Sequence, residues 1–162
     1  MDVRNAEETE VGRLARIWYD AWQDAHAAIL PAELARLRTL RSFEDRLREA
    51  LPHVRAAGPV DAPVAFCIVK EDQLYQLYVT AEARGSGIAA ALVADAEERL
   101  VRSGVDKAWL SCAIGNERAA RFYEKCGWQR KGVVTDILET TAGTFPLDVW
   151  RYEKSLVAGQ QA

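Results

Sequence analysis

Arg84-Gly85-Ser86-Gly87-Ile88-Ala89 sets two glycines, one residue apart, ahead of a run of small and apolar residues. Glycine serves where a backbone turns tightly or lets something come close, because no Cβ stands in the way. The run behind it reads as the start of a helix, which offers unpaired N–H groups and the positive end of a dipole. Together these residue types suit a cradle for phosphate. His26 follows Trp22 at helical spacing. A histidine there can line a pocket or simply be a partly buried helix residue. Cys112 is a nucleophilic type of residue, but no histidine–acid pair is legible beside it, so a covalent thiol route is not expected.

The spacing from Gly85 to Ala90 also fits the G-x-G-x-x-A fingerprint of a dinucleotide turn, with Asp106 near the offset of a ribose-binding acid. Its context argues against that reading. Five residues separate Val79, at the end of an apolar strand, from Gly85, and Asp106 precedes a strand instead of ending one. A P-loop is excluded because no Gly-Lys-Ser/Thr is present. The plain alternative is a glycine pair that only shapes a strand-to-helix turn.

The elements that must position these residues follow from periodicity. Residues 3–6 suit a short strand, and Val11, Leu14, Ala15, Trp18, Trp22 and Ala25 recur at helical spacing, with Thr9 as the cap. After a turn at Ile29-Leu30-Pro31, residues 36–51 read as one further helix whose arginines form a solvated face. "HVRAA", "PVAFCIVK" and "LYQLYV" predict three antiparallel strands joined by short linkers. Ile88, Leu92, Ala96 and Leu100 mark one face of a helix that stops near Ser103-Gly104. "KAWLSCAI" predicts a buried strand, Asn116 a helix cap, and Gly127 that helix's end. "WQRKGVV" and "PLDVWRYEKSL" predict the last two strands, leaving "ETTAGTFP" as a loop. This order predicts a mixed α/β (α+β) domain with a mostly antiparallel central sheet flanked by helices.

The chain has 162 residues, 49% of them hydrophobic, enough for one substantial core and a single domain over residues 1–162. A net charge of −3 gives no global reason to bind nucleic acid or a membrane surface, so small ligands are expected. The three cysteines are odd in number and far apart, which predicts neither a disulfide framework nor a metal site. Reduced thiols, an acidic N-terminal stretch and the lack of a long apolar run point to the cytoplasm.

The segment "LYQLYVTAEARGSGIAAALV" resembles the core motif of the Gcn5-related N-acetyltransferases: an apolar strand, a polar loop, Arg-Gly-x-Gly-Ile, then an apolar helix. "NERAARFYEKCGW" is similar to that family's second motif, in the same order and at the same distance. The likeness runs from about residue 3 to residue 156, and it implies a transferase that uses acetyl-CoA and no metal. It implies that the pyrophosphate of coenzyme A meets the backbone of Arg84, Gly85, Ser86, Gly87, Ile88 and Ala89. It also implies a bulge that splays the strand of Leu77, Tyr78 and Val79 from its neighbour, so that pantetheine can pair along those residues. Asn116 corresponds to a pantetheine or phosphate contact, and Tyr123 to a tyrosine beside the coenzyme sulfur, where a phenol can protonate a leaving thiolate.

The resemblance implies direct attack by a primary amine of a small molecule or peptide, in a pocket that includes Trp22, His26 and Gln76. At pH 7 only about one such amine in a thousand is neutral. Many relatives place a glutamate on the strand before the glycines; here Gln76 stands among "LYQLYV", and it cannot take a proton. Gln76 is expected to orient a water or the acceptor, and the base stays unassigned, with Glu71, Asp72, Asp24 and His26 as lesser candidates. The same departure leaves open a catalytically silent acyl-CoA-binding module. The final strand around Val149, Trp150 and Tyr152 suggests a homodimer.

Overall fold

In the computed structural model, which describes residues 2–157, the chain runs β1 (Val3–Asn5), α1 (Val11–His26), α2 (Ala32–Leu37), α3 (Leu40–Ala50), β2 (Val54–Ala57), β3 (Ala65–Lys70) and β4 (Gln73–Val79). It continues through α4 (Ile88–Arg102), β5 (Lys107–Ala113), α5 (Glu117–Lys125), β6 (Gln129–Thr140) and β7 (Gly143–Ser155). The strands form one seven-stranded sheet in the order β1-β2-β3-β4-β5-β7-β6. Every neighbouring pair is antiparallel except β4 and β5. Among the described residues no helix is long and apolar enough to cross a membrane.

The strand period of two divides the core into two layers. Ala57, Ala65 and Cys67 face α4 and α5, packing with Leu92, Ala96, Leu100, Tyr123 and Trp128. Their neighbours Ala56, Phe66 and Ile68 face α1 and α3, packing with Leu14, Trp18, Phe43 and Leu47. Each fully buried leucine or phenylalanine contributes about 1.5–3 kcal/mol through the surface it removes from water.

One irregularity in this alternation matters for function. Ile68 pairs with Gln76 but Val69 pairs with Leu74, so Tyr75 is an extra residue on β4. The bulge puts Leu74 and Leu77 in the α4–α5 layer, while Tyr75 and Tyr78 lie with α1 and α3. It also bends β4 out of register with β5: the two strands share only the pair Gln73↔Trp109 and then part.

Several local expectations are corrected. Thr9 is not the cap of α1, because its hydroxyl donates to Asp61 Oδ1 at 2.9 Å. Glu10 stands at the N-cap of α1 without a side-chain cap bond to that helix, its carboxylate accepting instead from the Glu7 N–H at 2.9 Å. Residues 36–51 are not one helix. The Thr39 side chain accepts from the Ser42 N–H at 3.1 Å and starts α3 afresh, leaving Arg38 as the buried end of α2. "ETTAGTFP" is not a loop but the tip of the β6–β7 hairpin, closed by Thr141 and Ala142 with Gly143 at φ +101°. In the last strand, β7 lies between β5 and β6, Val149 and Tyr152 are buried, and Arg130 stacks 3.8 Å from the Trp150 ring.

Candidate active site

Where β4 and β5 part, a cavity of about 420 Å³ opens between the end of β4, the start of α4 and α5. Leu77, Tyr78 and Val79 form one wall, Arg84, Gly85, Gly87, Ile88 and Ala89 the next, and Asn116 and Tyr123 the third. Of the residues expected to hold the cosubstrate, only Ser86 is off this wall; its hydroxyl folds back to donate to the Ala83 carbonyl.

Gly85 and Gly87 have φ of +77° and +85°, the left-handed region that favours glycine. A Cβ built on either would meet no protein atom within 4 Å, so both glycines face open space. Gly87 is also the N-cap of α4 and has no side chain with which to cap it. The first N–H groups of that helix are therefore left for an anion or water, at the positive end of a 15-residue helix. This cradle fits a pyrophosphate on backbone donors. The Arg84 side chain is already engaged, pairing with Asp24 at 2.8 Å, and Arg118 reaches the same carboxylate at 3.3 Å. Hydrogen bonds from Arg84 and then Arg118 hold the Asp24 carboxyl below the usual range, which makes it a poor base.

Tyr123 is 9% exposed on the cavity wall, and none of the described residues hydrogen-bonds to its hydroxyl. Burial pushes its pKa well above 10, so it stays a phenol with a proton to give. Asn116 caps α5 through Oδ1, which accepts from the Ala119 N–H at 3.3 Å. Cys112 is buried, and that burial pushes its thiol up to about 12, far from thiolate formation at neutral pH.

A smaller cavity of about 130 Å³ lies on the α1–α3 side, and Tyr78 lines both. Trp22, His26 and Gln76, the three residues expected at the acceptor, meet here. Gln76 reaches it because the Tyr75 bulge shifts the phase of β4. His26 is driven from its ordinary 6.5 to about 4 by burial, partly opposed by the Trp22 carbonyl, so at pH 7 it is a neutral imidazole. Glu71 and Asp72 line neither cavity; Asp72 accepts from the Trp109 indole at 2.9 Å.

Sequence reasoning missed several polar members of this pocket, among them Arg38, Arg46, Ser111 and Asp136. The arginines were absorbed into a solvated helix face, and Asp136 fell beyond the expected end of its strand. Arg38 is 5% exposed and donates only to the Glu139 carbonyl, at 3.1 Å. Arg46 lies 4.3 Å over the Trp18 ring and donates to the Tyr75 hydroxyl at 2.9 Å.

Residues 14–128, more than half of the chain, match the model of the Acetyltransferase (GNAT) family, and the protein belongs to that family. Its fold is similar to a GCN5-related N-acetyltransferase from Rhodopseudomonas palustris (TM-score 0.75, 21% identity, covering 95% of this chain and 94% of that one). It is also similar to the PaiA N-acetyltransferase from Thermoplasma acidophilum in complex with coenzyme A (TM-score 0.70, 17% identity, 95% and 98%). YncA, a putative acetyltransferase from Salmonella typhimurium solved with acetyl-CoA, matches at TM-score 0.66 and 14% identity, over 97% and 94%. No curated protein sequence matches the chain.

Proposed function

We propose that the protein transfers the acetyl group of acetyl-CoA to a primary amine of a small molecule or peptide, by direct attack within a ternary complex. The observation that carries this reading is the pair of cavities that share Tyr78 across the gap between β4 and β5. One has an anion cradle and a buried phenol; the other is polar and suited to an amine. Acetyl-CoA supplies an acyl group already activated as a thioester. The backbone at residues 84–89 binds its phosphates, and the open edge of β4 orients the pantetheine arm. The amine lone pair forms the C–N bond, the C–S bond breaks with its electrons going to sulfur, and Tyr123 donates the proton that completes the thiol. Cys112, sealed and protonated, takes no part. All three cysteines are free thiols, as a cytoplasmic setting maintains them.

Calorimetric titration with acetyl-CoA, with NADH in a parallel cell, tests the cradle: binding of acetyl-CoA alone is expected, and none would end the reading. Tyr123→Phe should keep that affinity and lower kcat by about a hundredfold. A second reading, a silent acyl-CoA-binding module, is favoured by Gln76 where many relatives carry an acid. Acetyl-CoA binding without turnover on any amine would support it.

A further inference from the structure

We infer that the acceptor is a small zwitterion, an amine that also carries a carboxylate, held by its carboxylate on Arg38 and Arg46 and by its ammonium facing Asp136. This rests on the acetyl-transfer reading and names the acceptor class for the smaller cavity.

The inference begins with a cation that the fold leaves without a counter-charge. Arg38 is nearly sealed from water, yet no carboxylate among the described residues lies within ion-pair distance of it. A buried charge with no partner is costly. Burial, aggravated by the neighbouring Arg46, lowers its pKa to about 10, so it remains a cation at neutral pH. Arg46 is likewise without a carboxylate; stacking on Trp18 and the bond to Tyr75 fix its direction. Two guanidinium groups, each a planar fork of donors, suit a carboxylate better than a spherical anion.

Asp136 lines the same small cavity, and its side chain makes no hydrogen bond or ion pair with any described residue. Arg38 and Asp136 therefore share one pocket without pairing. Opposite charges free to move within one partly buried pocket would pair, so something holds the two apart. The backbone does so: Arg38 ends α2 and is tied to the Glu139 carbonyl, while Asp136 is fixed in the β6–β7 ladder. Fixed opposite charges that do not neutralise each other are complementary to a ligand carrying both. Ser111 adds a hydroxyl sealed from water with no partner among the described residues, aimed at the same cavity.

In the reaction the bound ammonium loses one proton to solvent by way of Asp136, and the free amine then attacks. Its second proton leaves as the amide forms and replaces the one Tyr123 gives to sulfur, so charge and protons balance. The neutral His26 does not compete with the ammonium for Asp136.

The test uses the purified protein with acetyl-CoA and follows thiol release with the standard amino acids, their carboxamides, their decarboxylated amines and phosphoethanolamine. The best free amino acid should exceed its carboxamide and its decarboxylated amine in kcat/KM by about tenfold or more. Arg38→Gln should raise KM for the free acid by about tenfold and leave the carboxamide nearly unchanged, with acetyl-CoA affinity intact. Asp136→Asn, at a partly exposed site with no partner to lose, gives a second variant expected to fold and to lose turnover on the same acceptor. Equal or better transfer to carboxamides, decarboxylated amines or phosphoethanolamine overturns the inference while leaving acetyl transfer standing. If acetyl-CoA binds but nothing turns over, acetyl transfer itself falls. Calorimetry with the acetyl-CoA-loaded protein then decides the pocket: binding of a free amino acid but not of its carboxamide supports it, and binding of neither overturns it.

Discussion

Glu10 and Arg38 are both charged side chains shut away from water, at 1% and 5% exposure, and the fold treats them in opposite ways. Glu10 is saturated. Arg4 meets it with two parallel bonds, at 2.8 and 2.7 Å, and the N–H groups of Glu7 and Asp61 add two more, at 2.9 and 3.1 Å. This knot ties β1 to the start of α1 and to the segment between β2 and β3. Arg38 has one carbonyl and a neighbouring arginine. The first arrangement is complete without a ligand; the second is complete only with one. Buried charge by itself does not mark a functional site, but buried charge whose valence the chain leaves open does.

That contrast can be broken most sharply by removing one charge from each region. Arg4→Met strands the Glu10 carboxylate in the core with two N–H donors and no counter-charge, and should lower unfolding free energy by about 3–5 kcal/mol. Arg38→Met, of similar length and apolar, removes a charge that had no counter-charge and should leave stability unchanged or raise it by about 1 kcal/mol, while KM for the acceptor rises by about tenfold. Urea unfolding of the two variants measures both. Equal losses would mean that Arg38 is as structural as Arg4, and the contrast would collapse.

His26 shows a third treatment of a polar group in the same pocket: it is kept neutral. Its folded pKa of about 4 lies below the ordinary 6.5, so the unfolded chain binds its proton more readily. Stability is therefore full above about pH 6.5 and falls as the pH drops towards 4, by about 3 kcal/mol in total and about 2 kcal/mol by pH 5. Glu10, held below the usual carboxylate range by Arg4, has its own acid loss below its unfolded pKa of about 4.3. Unfolding curves at pH 7 and pH 5 separate the two. His26→Gln should remove most of the loss at pH 5, and an unchanged loss would assign it elsewhere.

The sequence revealed what depends on near neighbours. The strands at β2, β3, β4 and β5, the helix α4 and the Asn116 cap all follow from periods of two and 3.6 and from local capping chemistry. The glycine turn was legible because φ above zero restricts the residue type. What escaped was set by register and by breaks. Arginines in the 36–51 stretch looked alike, yet Arg41 and Arg48 pair outward with Asp45 and Glu44 while Arg38 and Arg46 turn inward. Thr39 decides that, by stopping one helix phase and starting another. Asp136 joins Arg38 from nearly a hundred residues away, through a hairpin whose tip looked like a loop. The Tyr75 bulge, expected only from the family likeness, determines which face receives Gln76.

Asn116 brings both treatments into one side chain and gives the finest test. Its Oδ1 is spent on the Ala119 N–H, as a structural group's would be, while its side-chain amide has no partner among the described residues and the residue lines the larger cavity. Asn116→Ala should cost about 1 kcal/mol of stability through the lost cap, and Asn116→Ser should recover most of it, since serine caps nearly as well. Serine is too short to reproduce the amide's reach into the cavity. If that free end serves the cosubstrate, both variants should bind acetyl-CoA several-fold more weakly, the stability of the serine variant notwithstanding. Restored affinity in Asn116→Ser would instead make the cap the whole of the residue's contribution, acting on the ligand only by fixing where α5 begins.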